Sequence, residues 1–176
     1  MKAIGLVGPS GCGKTTLATK LVGHLREAGA LVSAIKHAGH GFEIDHPGKD
    51  SRRLTESGAF EVVVASSRRM AVIREFAQEV DLRVQDLMAG LGEPEDVPLW
   101  VVFEGFRHAS HQKIEFWTGT DTRPPLYPDD PYVVAIVTEV PETLPQPTLL
   151  PVFGRDQAAE IAAFLLRDAD RFEVRD

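Results

Sequence analysis

The segment at residues 8–15, with the sequence GPSGCGKT, constrains the fold of this chain more than any other feature. It fits the pattern G-x-x-x-x-G-K-[ST], in which glycines turn successive backbone N–H groups towards a phosphate and a lysine reaches the terminal phosphates. The run at residues 2–7 is mostly apolar, and apolar residues recur at helical spacing after the loop, at Leu17, Leu21 and Leu25. The pattern therefore predicts a strand, a phosphate loop and a helix, in that order.

The rest of the chain alternates between apolar runs and helical patterns, which predicts an α/β fold. Residues 61–66 and 70–76 flank a polar turn and predict an antiparallel hairpin at one edge of the sheet. The other predicted strands are residues 2–7, 31–35, 99–103, 113–117 and 132–137, and the predicted helices are residues 14–27, 51–57, 80–91 and 156–166. Together they predict a single P-loop NTPase domain over residues 1–176, with a mostly parallel sheet and helices on both faces.

Composition argues against several classes of protein. With 19 Lys and Arg against 26 Asp and Glu, the formal net charge is −7. This balance argues against a general nucleic-acid-binding protein, because affinity for phosphate backbones needs a basic face. No apolar run approaches the roughly 20 residues that cross a bilayer, so no membrane span is expected. Cys12 is the one cysteine, and with no secretory leader in evidence we expect a cytoplasmic protein.

A phosphate loop also needs oxygen ligands for Mg²⁺. Thr15 supplies the hydroxyl that such loops place on the metal, and Glu104 directly follows the buried strand predicted at residues 99–103. A carboxylate that merely ends a strand in solvent is the alternative, although Gly105 would allow a ligand to approach the backbone closely. We therefore expect Thr15 and Glu104 to hold the metal, with Lys14, Glu104 and Asp45 as candidate catalytic residues.

A charged loop follows the second predicted strand. Its charged and titratable residues include Lys36, His37, His40, Asp45, Lys49, Asp50, Arg52 and Arg53. In an α/β sheet this loop lies at the carboxyl ends of the strands, where ligands bind. The spacing of His37 and His40 is not diagnostic of zinc, and a solvated charged loop is the alternative to a binding site.

These segments resemble the molybdopterin-guanine dinucleotide biosynthesis protein B (MobB) family, whose members are P-loop NTPases. The resemblance rests on IKHAGHGFEIDHPGKDS at residues 35–51 and EGFR at residues 104–107, and it runs from about Ile4 to Arg107. It implies a GTP-binding, weakly hydrolysing homodimer that assists a guanylyltransferase partner in attaching GMP to molybdopterin. Arg107 occupies a position where the family commonly has lysine. Arginine keeps the positive charge but presents a planar guanidinium with several N–H donors in place of a single ammonium.

The resemblance and the residues together predict a site for GTP and Mg²⁺. The candidate binding residues are Gly8, Gly11, Cys12, Gly13, Lys14, Thr15, Thr16, Lys36, His37, Lys49, Asp50, Arg52, Arg107, Thr138 and Glu139. The basic ones outside the phosphate loop suit the phosphates of molybdopterin or its guanine dinucleotide. Thr138 and Glu139 follow the last buried run, where Glu139 is a candidate acceptor for the guanine N1 and N2 hydrogens or, alternatively, a surface carboxylate.

Two rival functions stay open at this level. A P-loop kinase acting on a small metabolite would use Arg52 and Arg53, or Arg68 and Arg69, as lid arginines and would commonly prefer ATP. A pure adaptor would use the nucleotide only to stabilise its fold. For the GTP-binding function we expect slow hydrolysis, because the motifs contain no evident arginine finger or water-positioning glutamine. The hairpin edge at residues 70–76 is the candidate dimer surface.

Overall fold

The computed structural model describes residues 1–39, 41, 42, 44, 48–92, 94 and 96–174. These residues form two compact units. The first unit contains residues 1–37 and 83–176, and the second contains residues 38–82. The single domain over residues 1–176 stays a prediction.

The strands and helices follow the predicted order. The strands are β1 (Lys2–Val7), β2 (Leu31–Lys36), β3 (Glu61–Ala65), β4 (Met70–Arg74), β5 (Leu99–Glu104), β6 (Lys113–Phe116), β7 (Val133–Val137) and β8 (Val152–Phe153). The helices are α1 (Lys14–Glu27), α2 (Asp50–Glu56), α3 (Val84–Met88) and α4 (Ala158–Arg167), with short 3-10 turns at Pro141–Thr143 and Ala169–Phe172. No helix among the described residues has the length and apolar character needed to span a bilayer.

The first unit contains a six-stranded sheet with the order β2-β5-β1-β6-β7-β8. Every neighbouring pair in it is parallel, which confirms the predicted α/β architecture. The register places Glu104 of β5 opposite Leu6 of β1 on one side and Lys36 of β2 on the other. The carboxyl ends of these strands therefore meet at one edge of the sheet, next to the start of α1.

Helices cover both faces of this sheet, as predicted. On one face Leu17, Leu21 and Leu25 of α1 are buried in the same cluster as Ile161 and Leu165 of α4. On the other face α3 buries Val84 and Met88 with Val101 and Phe103 of β5. Since the leucines of α1 are at most 1% exposed, each contributes on the order of 2 kcal/mol of apolar burial. This packing holds the start of α1 against the sheet edge.

Three details differ from the sequence-based expectations. The hairpin β3–β4 is antiparallel as predicted, but it forms a two-stranded sheet of its own in the second unit. The helix predicted at residues 80–91 is limited to Val84–Met88, because Gly90 and Gly92 disfavour its continuation. The two-residue strand β8 was missed, since it lies between Pro151 and Gly154 and is too short to show a periodicity.

Candidate phosphate-binding site

The loop between β1 and α1 has the conformation that only glycine adopts readily. Gly8, Gly11 and Gly13 have φ angles of 147°, 76° and 101°, in the left-handed half of the map that L side chains avoid. A Cβ at Gly8 would lie 2.7 Å from the Cβ of Phe116, so β6 also excludes a side chain there. Gly13 caps α1, whose first N–H groups, including that of Thr16, have no acceptor within the helix.

Lys14 lies over this loop. Its Nζ donates to the carbonyl oxygens of Gly8 at 3.0 Å and Pro9 at 2.5 Å, and it lies 3.7 Å from the Sγ of Cys12. Cys12 itself is 4% exposed and packs in the core beneath the loop, so its backbone rather than its thiol is available to a ligand. A positive ammonium and free helix-end amides together make an anion-binding position.

Thr15, Glu104 and Lys36 meet at the sheet edge beside the loop. The Thr15 hydroxyl donates to Glu104 Oε2 at 2.7 Å. The Lys36 ammonium lies 3.4 Å from Thr15 Oγ1 and 3.8 Å from Glu104 Oε2. The oxygens of Thr15 and Glu104 therefore lie next to the Lys36 ammonium.

This donor set fits Mg²⁺, which takes hard oxygen ligands and usually keeps several waters. Within the described part of the chain, no three His, Cys, Asp or Glu side chains are grouped closely enough to hold a metal ion. Thr15 and Glu104 could hold Mg²⁺ here, together with nucleotide phosphates and waters. Asp45, the remaining candidate catalytic residue, and His40 of the charged loop lie outside the described residues.

His37 packs against the strand end that carries Glu104. Its backbone N–H donates to the Glu104 carbonyl at 2.9 Å, and its ring lies edge-on to Phe106 with centroids 5.1 Å apart. A Cβ at Gly105 would lie 2.8 Å from the Cβ of His37. The IKH and EGFR segments are thus in direct contact, and phosphate binding by His37 stays a prediction.

Arg107 is held by the loop that follows β6. Its guanidinium donates to the Pro124 carbonyl at 2.6 Å and lies 3.8 Å from Glu115 Oε1. Glu115 is 2% exposed and accepts hydrogen bonds from the backbone N–H groups of Leu126 and Tyr127. Burial raises the pKa of the Glu115 carboxyl above its usual value, against the opposing effect of these N–H donors and of Arg107. Phosphate binding by Arg107 stays a prediction.

Sequence reasoning overlooked Glu115. The signal that could have revealed it is a carboxylate inside the otherwise buried strand β6, KIEF, because a charged residue there must have partners. Lys113 of the same strand is also fully buried and pairs with Asp130 at 2.8 Å. Both side chains therefore attach the residues that follow β6 to the sheet.

Three of the predicted residues of the charged loop, Lys49, Asp50 and Arg52, lie in the second unit. Lys49 precedes α2, and Asp50 lies in its first turn. Arg52 Nε donates to Glu56 Oε1 at 2.9 Å, one turn further along the helix. Their binding of a ligand phosphate stays a prediction.

Thr138 and Glu139 leave the sheet beside the end of β8. Thr138 is 3% exposed, and its hydroxyl accepts from the Val140 N–H at 3.1 Å. The exposed Glu139 accepts from the backbone N–H of Arg155 through Oε1 at 2.6 Å. The Thr138 side chain is therefore part of the turn, whereas the Glu139 carboxylate lies at the edge of the sheet that carries the phosphate loop.

Known proteins share this sequence pattern. The model of the family described as molybdopterin guanine dinucleotide synthesis protein B matches residues 3–139. The molybdopterin-guanine dinucleotide biosynthesis adapter protein of Escherichia coli (strain K12) is 38% identical over 136 residues, which are 77% of this chain and 77% of that one. The protein of the same name from Haemophilus influenzae is 36% identical over 157 residues, which are 89% of this chain and 85% of that one.

Solved structures share the fold. A crystal structure of molybdopterin-guanine biosynthesis protein B has a TM-score of 0.66 and 28% identity, covering 94% of this chain and 98% of that one. A MobB protein homolog from Bacillus stearothermophilus has a TM-score of 0.68 at 22% identity, covering 97% of this chain and 99% of that one, and this likeness concerns the fold alone. The resemblance stated from the sequence is confirmed: this chain belongs to the MobB family, molybdopterin guanine dinucleotide synthesis protein B.

Proposed function

We propose that this chain is a GTP-binding, slowly hydrolysing adapter that assists a guanylyltransferase in attaching GMP to molybdopterin. The observation that carries the proposal is the 2.7 Å contact between Thr15 and Glu104 beside an intact phosphate loop. The names of the relatives, which are adapter proteins of molybdopterin-guanine dinucleotide biosynthesis, support the pathway.

The phosphate end of GTP would occupy the loop between β1 and α1. Lys14 would leave the carbonyls of Gly8 and Pro9 for the β- and γ-phosphates, because a phosphate is the stronger acceptor. Mg²⁺ held by Thr15 and Glu104 would neutralise the developing charge on the phosphates. Hydrolysis would be slow because neither the phosphate loop nor the EGFR segment contains a glutamine to orient water.

The base end would lie near Glu139. Guanine presents an N1 hydrogen and an N2 amino group to an acceptor, whereas adenine presents neither at those positions. One Glu139 oxygen accepts from Arg155 N–H, which orients the carboxylate and leaves its second oxygen for the base. An adenine base would leave that acceptor unpaired, and this is the physical basis for preferring GTP.

Molybdopterin or its guanine dinucleotide would bind through the basic side chains beyond the phosphate loop. Lys36 is the best placed in the first unit, since its side chain is 62% exposed and lies at the sheet edge. In the first unit the proposed contacts to the ligand phosphates are Lys36, His37 and Arg107. For Lys49 and Arg52 of the second unit, phosphate binding is proposed for that unit by itself. The guanylyltransferase partner would receive the ligand from this site.

Calorimetric titration of GTP and ATP, each with Mg²⁺, tests the proposed nucleotide. We expect GTP to bind at least about tenfold more tightly than ATP, the factor that one charge-assisted hydrogen bond supplies. Removing Mg²⁺ with a chelator should weaken GTP binding, because Thr15 and Glu104 then have no cation to share with the phosphates. Added protein should also raise the rate of the guanylyltransferase.

A preference for ATP would contradict this proposal. If ATP consumption also yielded a phosphorylated metabolite in equal amount, the chain would be a P-loop kinase. A guanylyltransferase that is equally fast with and without the chain would contradict the adapter role.

We further propose that two copies associate through the hairpin β3–β4. In the register of the hairpin Val63 lies opposite Val72, and Met70 follows on the same face. Val63, Met70 and Val72 are 54%, 69% and 50% exposed. A two-stranded sheet with an exposed apolar face is marginally stable alone, and its unpaired edges favour association.

Val72→Lys is therefore expected to shift the chain from dimer to monomer, because it places an ammonium in the centre of this apolar face. Sedimentation velocity at several protein concentrations measures the shift. Leu149→Lys is the matched control, since Leu149 is fully exposed in the first unit. A monomeric wild type, or a Val72→Lys variant that stays dimeric, would exclude the hairpin interface.

A further inference from the structure

Arg155 follows β8 at the same sheet edge as the phosphate loop. Val137 of β7 and Phe153 of β8 are register partners, so the residues that leave the two strands run side by side. The backbone N–H of Arg155 donates to Glu139 Oε1 at 2.6 Å. This hydrogen bond fixes the backbone from which the Arg155 side chain starts.

The Arg155 side chain reaches the start of α1. A Cβ built on Gly13 would lie 3.8 Å from Arg155 Cδ, in ordinary van der Waals contact. Gly13 immediately precedes Lys14 and caps the helix. The arginine therefore extends from the sheet edge to the phosphate loop, within the first unit of the chain.

The Arg155 guanidinium is exposed, and none of the hydrogen bonds or ion pairs between described residues involves it. It lies near two other sources of positive potential, the Lys14 ammonium and the N-terminus of α1. The first turn of α1 contains no acidic residue that would balance them. The carboxylates of Glu104 and Glu139 contact Thr15 and the Arg155 N–H, whereas the two cations and the helix N-terminus favour an anion at the loop itself.

The sheet order shows which part of a nucleotide would be within reach. Lys36 and Glu104 belong to β2 and β5, on one side of β1, whereas Arg155 follows β8 on the other side. If Thr15 and Glu104 held Mg²⁺, the terminal phosphates whose charge it would neutralise would lie towards Glu104. The phosphate nearest the nucleoside would then lie towards β7 and β8.

We propose that Arg155 is a nucleotide-binding residue whose guanidinium contacts the α-phosphate of the bound guanine nucleotide. This inference rests on the proposed function and adds a specific contact to it. A guanidinium presents two parallel N–H donors that match two oxygens of one phosphate. The hydrogen bond from the Arg155 N–H to Glu139 connects the two residues: Glu139 would accept from the guanine base, and Arg155 would bind the adjacent phosphate.

The test is calorimetric titration of GTP and of GDP, each with Mg²⁺, into wild type, Arg155→Gln, Arg155→Lys and Arg167→Gln. Arg155→Gln should weaken the binding of GTP and of GDP by the same factor, about tenfold or more, since both nucleotides carry the α-phosphate. The affinity of Arg155→Lys should lie between those of wild type and Arg155→Gln, because lysine keeps the positive charge but lacks the two parallel N–H donors. Arg167→Gln, with the same charge change at the far end of α4, should bind like wild type.

Unchanged affinity in Arg155→Gln, with wild type binding both nucleotides, would overturn this inference and leave the proposed function standing. A loss confined to GTP would also overturn it, because the contact would then involve the γ-phosphate. A wild type that binds neither nucleotide would overturn both. Melting temperatures identify any variant that fails to fold. If Arg155→Gln does not fold, the nucleotide affinity of Arg155→Lys is the test instead. A lower affinity than wild type would support the contact, and an unchanged affinity would overturn it.

Discussion

Replacing Lys14 with alanine is expected to weaken GTP binding by at least about a hundredfold, because it removes a charged donor to the β- and γ-phosphates. This ammonium lies over the loop and donates to the carbonyls of Gly8 and Pro9. Calorimetric titration with GTP and Mg²⁺ measures the loss.

Lys20→Ala is the matched control for this variant. Lys20 is exposed on the same helix and gives the same change of charge, so it should bind GTP like wild type. If Lys14→Ala retained wild-type affinity, the loop would not be the nucleotide site. If Lys14→Ala no longer bound GTP but still stimulated the guanylyltransferase fully, the chain would be a pure adaptor whose activity does not depend on nucleotide binding.

Glu115→Ala is expected to lower the free energy of unfolding by about 3 kcal/mol, because it leaves the buried N–H groups of Leu126 and Tyr127 without an acceptor and opens a cavity. It also removes the carboxylate beside Arg107. Urea denaturation monitored by tryptophan fluorescence measures the change. Glu79→Ala, at an exposed carboxylate, is the control and should leave stability unchanged.

The loss of unfolding free energy caused by Glu115→Ala should depend on pH. Burial raises the pKa of Glu115 in the folded chain, so the folded state holds its proton to a higher pH than the unfolded state does. The contribution of Glu115 to stability is therefore greatest below its ordinary pKa and decreases as the pH rises through the raised one. The difference between wild type and Glu115→Ala should accordingly be larger in acid than at neutral pH, and a difference that grows with pH would contradict burial as the dominant effect.

Much of the site could be predicted from short stretches of sequence. The spacing of Gly8, Gly13 and Lys14, between an apolar run and a helical pattern, predicts a phosphate loop, because such a loop is a local backbone conformation. Thr15 and Glu104 were assigned to one metal site by a topological rule, since the carboxyl ends of parallel strands lie at one edge. Their side chains are in contact at 2.7 Å, and the metal site stays a prediction.

Other features depended on contacts between distant segments. The hairpin forms its own sheet rather than the edge of the larger one. This could not be predicted locally, because a hairpin pattern specifies its own pairing but not whether another strand lies beside it. The direction of Arg107, into the residues that follow β6, depends on contacts with Pro124 and Glu115, which no local periodicity predicts.

By itself, the sequence determined the α/β alternation, the phosphate loop and membership of the MobB family. These depend on local periodicity and on short motifs, which act within a few residues of one another. Tertiary structure alone decided that Glu115 is buried and that Arg155 reaches Gly13. The physical reason is that burial and charge pairing are set by strand order and register, and these bring together residues that are far apart in the chain.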